Sequence, residues 1–182
     1  MTNLHAETMR GVTLIELMVT LSVLAITVTM GVPAFQDLIN NNKATGVTNS
    51  LVSALNFGRS EAVKRGQLVT VCTSNSTASA TPGCDGTSWK SGWVVFVDSP
   101  ATGVVDGTDI VLKVGQVPNV PSATSFTGDA NLTGYVSFKA NGQSQDNAAS
   151  TTGGNLTLCL SGKKRTIGIN TTGRIHVDTG TC

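Results

Sequence analysis

Few residues of this sequence are equipped for chemistry, and one of them sits where charge is expensive. Glu16 falls inside Gly11-Val12-Thr13-Leu14-Ile15-Glu16-Leu17-Met18-Val19, and no charged residue follows from Leu17 to Gln36. A charge in hydrocarbon costs roughly 2.5–3.5 kcal/mol even on lenient insertion scales, so this carboxylate calls for a partner or a task. The cysteines, Cys72, Cys84, Cys159 and Cys182, include no Cys-x-x-Cys pair, and apart from His5 in the leader the only histidine is His176. That pattern favours disulfides outside the cytoplasm over a metal site, and no neighbouring base marks a nucleophilic thiol. Four cysteines allow three pairings. Local closure, Cys72 with Cys84 and Cys159 with Cys182, is preferred because it ties off a polar loop and the C-terminus, each worth roughly 3 kcal/mol in the simple chain model.

The remaining candidates are charged or aromatic. Lys163, Lys164, Arg165, Arg174 and His176 occur together with no acidic residue until Asp178, although formal net charge is only +1. Any attraction to phosphates must therefore be local. Arg174 and His176 are two apart on an expected strand and share a face, but no aromatic follows Phe138 to stack on bases. A solvated hairpin with ordinary surface charge is the competing reading. Asp98, Asp106 and Asp109 offer oxygen ligands to calcium, yet their spacing is not that of an EF-hand, and an Asp-Gly turn explains Asp106-Gly107. Trp89, Trp93 and Phe96 read as core rather than as a recognition surface. No nucleophile, base and orienter set, phosphate loop or carboxylate pair suggests an enzyme, and neither cofactor nor metal is expected.

The elements that would position these residues follow from periodicity. The uncharged run is long enough, at about 1.5 Å per helical residue, to cross a hydrocarbon layer of about 30 Å. It is not closed by an Ala-x-Ala site, unlike a cleaved secretory signal. Pro33, next to Gly31-Val32, removes a donor and predicts a kink or local melting there. Thr20, Ser22, Thr27 and Thr29 are able to bond back to their own backbone or across helices. Beyond Pro33 a helical stripe of Val47, Leu51, Ala54, Leu55, Gly58 and Ala62 predicts an amphipathic helix packed on a domain, ending near Arg65 with Gly66 as its cap. Strands are expected at 67–74, 93–98, 109–114, 135–139, 156–161, 165–170 and 174–177. Between them 73–83, 99–107 and 142–154 read as exposed, mobile loops. The class is α+β: a long N-terminal helix, then an antiparallel β domain.

Taken together these residues carry a resemblance. Gly11 followed by Val12-Thr13-Leu14-Ile15-Glu16 and an apolar helix resembles the class III signal of type IV pilins and type II secretion pseudopilins. Gly58-Arg59-Ser60-Glu61-Ala62-Val63-Lys64-Arg65-Gly66-Gln67 and Ser91-Gly92-Trp93-Val94-Val95-Phe96-Val97-Asp98 resemble the GspH/FimT subfamily of minor pilins and pseudopilins. Val12 departs from the usual phenylalanine.

The resemblance implies a type IV pilin-like fold divided into a leader at 1–11, a transmembrane and filament-core helix at 12–36, an amphipathic helix at 37–66 and a β domain at 67–182. It implies cleavage by a prepilin peptidase between Gly11 and Val12, with N-methylation of Val12. Glu16 then pairs with the new N-terminal amine of a neighbouring subunit and sets filament register, while Gly31 and Pro33 supply a kink that eases extraction from the membrane. The implied partners are other pilin or pseudopilin subunits, the peptidase and an inner-membrane assembly platform. The β domain would face the periplasm. Assembly of a pilus or a secretion pseudopilus is the expected role. The alternative is DNA capture, because Gly173-Arg174-Ile175-His176 resembles the Gly-Arg-x-Arg motif of DNA-uptake minor pilins with His in the last position.

Overall fold

The computed structural model describes residues 11–99, 103–117, 120–145 and 153–182. The chain forms two compact units, Met1–Ile39 and Asn40–Cys182. Helix α1, Leu14–Arg65, contributes to both. Residues 1–10 of the expected leader lie outside the described residues.

In the first unit α1 carries no charge from Leu17 to Gln36, and an 18-residue apolar window within it is wholly unburied. The hydroxyls of Thr20, Ser22, Thr27 and Thr29 donate to carbonyls three or four residues back, at 2.8–3.1 Å. They satisfy themselves locally and leave the outer surface apolar. The local melting expected around Gly31-Val32-Pro33 does not occur: α1 stays helical through Pro33. Proline removes one backbone bond, and the helical bonds of the turns on either side carry the helix across it.

In the second unit α1 becomes amphipathic. Ala44, Val47, Thr48, Leu51, Ala54, Leu55, Gly58 and Ala62 are buried, and they recur at the three- and four-residue steps of one helical face. The helix ends at Arg65; Gly66, at φ +67°, donates its N–H to the Ala62 carbonyl. Glu61 accepts from Arg65 at 2.6 Å and lies 3.6 Å from Lys64, which ties off the last turn.

Two antiparallel sheets complete this unit. The first has the order β3-β2-β1-β5-β6 and contains β1 (Val69–Thr73), β2 (Trp93–Val97), β3 (Ile110–Gly115), β5 (Tyr135–Phe138) and β6 (Ser144–Gln145). The second, β4-β7-β8-β9, is made from β4 (Ser125–Gly128), β7 (Gly154–Leu160), β8 (Lys163–Ile169) and β9 (Ile175–Thr181). The buried helix face, Val69, Val71, Trp93, Val95 and Phe138 of the first sheet, and Leu156, Leu158, Leu160, Ile167 and Ile169 of the second form one core. A smaller cluster of Cys72, Val94 and Phe96 lies on the other side of β1 and β2, so these two strands are buried on both faces.

Three expectations are corrected. β4 (Ser-Phe-Thr-Gly) has a single apolar residue, Phe126, and gave no strand signal. The expected loop 142–154 contains β6, where buried Ser144 donates to the Asn170 carbonyl at 2.7 Å. β9 continues past Val177, where the expected strand stopped, to Thr181, because β8 supplies a partner for every residue of it.

Candidate functional site

The first candidate, Glu16, stands in the opening turn of α1 and is exposed. Its backbone N–H donates to the Thr13 hydroxyl at 3.3 Å. Thr13 is thus the residue preceding the helix, and Thr13-x-x-Glu16 has the spacing of a capping box. Sequence reasoning missed this signal. The carboxylate also sits at the positive end of the helix dipole, which favours an anion there. Val12, one residue before the cap, is 69% exposed.

The second candidate is the end of the second sheet that carries Arg174 and His176. β8 and β9 are joined through Asn170, whose N–H donates to the Arg174 carbonyl at 2.9 Å while Gly173 N–H donates back to Asn170 O at 2.7 Å. Gly173 has φ +74°, and a Cβ there would lie 2.1 Å from the Gly142 carbonyl oxygen, so only glycine fits the turn. Arg59 of α1 holds the same place: Nε donates to Gly142 O and Nη2 to Thr172 O, each at 3.1 Å. One guanidinium therefore joins two turns, β5–β6 and β8–β9, whose carbonyls would otherwise have to find water. The sequence gave no sign of this task for Arg59.

The structure separates the basic cluster. Residues opposite each other on β8 and β9 share a face, and Arg165 pairs with Thr179 whereas Lys164 pairs with Gly180. Arg165 turns toward the helix and is buried. Its Nη1 donates to the Lys164 carbonyl at 2.9 Å and its Nη2 to Asn41 Oδ1 at 2.5 Å. It is not available to a phosphate, which corrects its inclusion among the candidate contacts. Alternation divides the three consecutive cations, Lys163 and Arg165 on one side and Lys164 on the other, a consequence the linear charge count hides.

The other face holds Lys164, His176 and Asp178, with exposed Arg174 at the turn. The His176 ring lies over β8 at Gly168, where a Cβ would come within 2.2 Å of it, and His176 Nε2 stands 3.8 Å from Asp178. Lys163 belongs to the Arg165 side of β8 and is half-buried.

Cys72 is bonded to Cys84 and Cys159 to Cys182, across separations of 12 and 23 residues. Segment 73–83, expected to be mobile, is tied down by Asp85: its carboxylate accepts from the N–H groups of Asn75 and Ser76 and the Ser76 hydroxyl. The Asn75 amide above all holds the Asp85 carboxyl below its ordinary pKa. The acidic candidates for calcium are similarly occupied. Asp109 accepts from Ser99 and Asp106 N–H at 2.8 and 3.0 Å, and Asp98, buried, accepts from Thr70 Oγ1 and Gly103 N–H. No cluster of three His, Cys, Asp or Glu suited to a metal occurs among the described residues. Trp89 and Trp93 are fully buried, and Trp89 Nε1 donates to Leu132 O.

A long helix entering a two-sheet head, with an unburied apolar N-terminal half, defines a pilin-like subunit. The family model described as type II transport protein GspH matches residues 47–173, more than half of the sequence, and the chain belongs to that family. Two crystal structures of the type IV minor pilin FimU from Pseudomonas aeruginosa PAO1 are similar in fold. The one in space group P21 has a TM-score of 0.53 at 16% identity, covering 78% of this chain and 92% of that one. The one in P65 has a TM-score of 0.50 at 16% identity, covering 74% and 91%. No curated protein sequence matches the chain.

Proposed function

We propose that the chain is a minor pilin or pseudopilin whose helix anchors it in the bacterial inner membrane and then enters a filament, with the disulfide-bonded head in the periplasm. The observation that carries this reading is the change of character along α1: uncharged and exposed from Leu17 to Gln36, with one buried apolar face from Ala44 to Ala62. A surface of that kind is stable in lipid or among other apolar helices, and family membership supplies the machine.

Prepilin peptidase cleaves between Gly11 and Val12, and Val12 is methylated. Cleavage leaves Thr13 in place to cap the helix and Glu16 within its first turn. Inside a bundle Glu16 pairs with the N-terminal amine of a neighbouring subunit. Such a pair adds little net stability, because desolvation offsets the attraction, but loss of either partner strands the other. Misaligned subunits are therefore rejected. Gly31 and Pro33 mark a weakened turn that eases passage of the helix from the bilayer, and the inner-membrane platform drives that passage.

Deletion of the chain tests the reading. Loss of sheared surface filaments assigns it to a pilus, loss of protein export with filaments intact assigns it to a secretion pseudopilus, and no change in either contradicts both.

DNA capture is the second reading, favoured by the Gly173 turn, which presents Arg174 to solvent on the Lys164 and His176 face. Arg165 is buried on the opposite side of β8, and Asp178 offsets part of the positive charge of this face. Binding of single-stranded DNA that falls with added salt and with Arg174→Ala would establish it.

A further inference from the structure

Among the described residues the two sheets end on four edge strands, and three of them are unsuited to pairing. β3 is interrupted opposite Val95 and Phe96 by a register shift, and it carries Lys113. β6 has two residues and β4 has four. Bulges, charged side chains, proline and short length are the usual protections of a sheet edge. Of these β9 has only the charge of Asp178. It runs for seven residues, pairs with β8 without a shift and contains neither proline nor lysine.

The hydrogen-bond phase of β9 is fixed at both ends. Asn170 N–H bonds to Arg174 O, and Cys182 N–H bonds to Gly162 O. Even-numbered residues of β9 therefore exchange bonds with β8, and the N–H and C=O groups of Ile175, Val177, Thr179 and Thr181 point away from the sheet. The strand is also held rigid: the Cys159–Cys182 disulfide anchors one end, and the Arg59-bound turn anchors the other. A rigid edge binds without the cost of ordering itself.

The side chains beside that edge indicate what fits it. From His176 onward every residue of β9 is exposed, and Val177 on the helix-facing side is 39% accessible. The opposite side carries Lys164, Arg174 and His176 against the single carboxylate of Asp178. A strand laid along β9 would meet Val177, Thr179 and Thr181 on one face; on the other it would meet Lys164, which reaches over Gly180 from β8, and Arg174 just before the strand, with the single carboxylate of Asp178 between them. Charge complementarity selects carboxylates for the second face.

We propose that β9 accepts, as an added strand, an extended acidic segment of a partner protein in which Glu or Asp alternates with β-branched residues. Backbone bonds to the four outward residues give affinity, and the alternation gives specificity. This surface is separate from the helix that enters the filament, so the inference stands apart from the assembly reading.

The test uses the full chain in detergent micelles and a blocked peptide of about eight residues, the length of a strand, alternating Glu with Val. The peptide should slow hydrogen exchange at the Val177 and Thr179 amides by about tenfold or more. Thr179→Pro deletes an outward N–H while sparing the bonds to β8, and should abolish the protection with the melting temperature unchanged. Val177→Lys should weaken it, as should Lys in place of Glu in the peptide. Absence of protection, survival of protection in Thr179→Pro, or equal protection by the Lys peptide overturns the proposal. So does protection of the same amides by a single-stranded oligonucleotide, or self-association of the free chain that Thr179→Pro abolishes, since either gives the edge another occupant.

Discussion

Leu21 and Leu55 lie on the same helix, yet one is 59% exposed and the other is fully buried. Around Leu21 the neighbours Leu17, Met18, Leu24 and Ile26 are all more than half exposed. Around Leu55, Leu51 and Ala62 meet Val69, Val71 and the strands of both sheets. The difference shows that one secondary structure is written here for two surroundings. The second half carries its apolar stripe to its own domain, whereas the first half is uncharged and exposed from Leu17 to Gln36 and depends on lipid or on other subunits.

The largest effect that bears on this contrast is a paired truncation. Leu55→Ala should destabilise the head by about 2–5 kcal/mol in denaturant titration of the full chain in micelles. Leu21→Ala should change that value by less than about 0.5 kcal/mol, since no folded contact is lost. A comparable cost at both positions would break the distinction. Next comes the Cys72–Cys84 bridge. Replacing both cysteines with serine should remove roughly 3 kcal/mol from the head by the chain-entropy estimate and leave membrane insertion untouched. Arg165→Ala follows at about 1–3 kcal/mol, because Asn41 loses its partner and a cavity opens beside α1. Arg174→Ala, on the exposed turn, should leave the melting temperature unchanged, which separates the two arginines that the sequence presents as one cluster.

The smallest effect is acid dependence. Asp85 has its carboxyl pKa held below the ordinary 3.8. A lowered folded pKa means that its contribution is complete above the unfolded value and is lost as pH falls through the folded one. Asp85→Asn should therefore lower stability at neutral pH and flatten its decline below about pH 4, read from melting temperatures across an acid series.

Much of this was legible beforehand, and unevenly. The stripe Val47, Leu51, Ala54, Leu55, Gly58 and Ala62 predicted its own burial, because a helix repeats its contacts at a fixed period and each residue reports independently. The central strands β1 and β2 announced themselves through dense Val and aromatic content. β4, β6 and the distal part of β9 did not, because their pairing is decided by partners distant in sequence. The candidate sites divided in the same manner. Gly11 to Glu16 stands out in the sequence because its motif is contiguous, and its task is the one proposed above. The allocation of Arg165 to the core and of Arg59 to two carbonyls depends on strand parity and on turns far apart in the chain. The capping relation of Thr13 to Glu16 was written in the sequence and overlooked beside the unusual placement of the charge.

That capping relation sharpens the central claim, since Thr13-x-x-Glu16 has the spacing of a capping box and offers the Glu16 side chain a local task as the alternative to selecting subunits. Glutamine serves the capping box as well as glutamate does but carries no charge. The decisive measurement is the amount of Glu16→Gln protein in the membrane and in sheared filaments of a strain lacking the wild-type copy. The account predicts normal membrane insertion with little or none of the variant in filaments. Incorporation at the wild-type level would reduce Glu16 to a helix cap and contradict the register it is held to enforce.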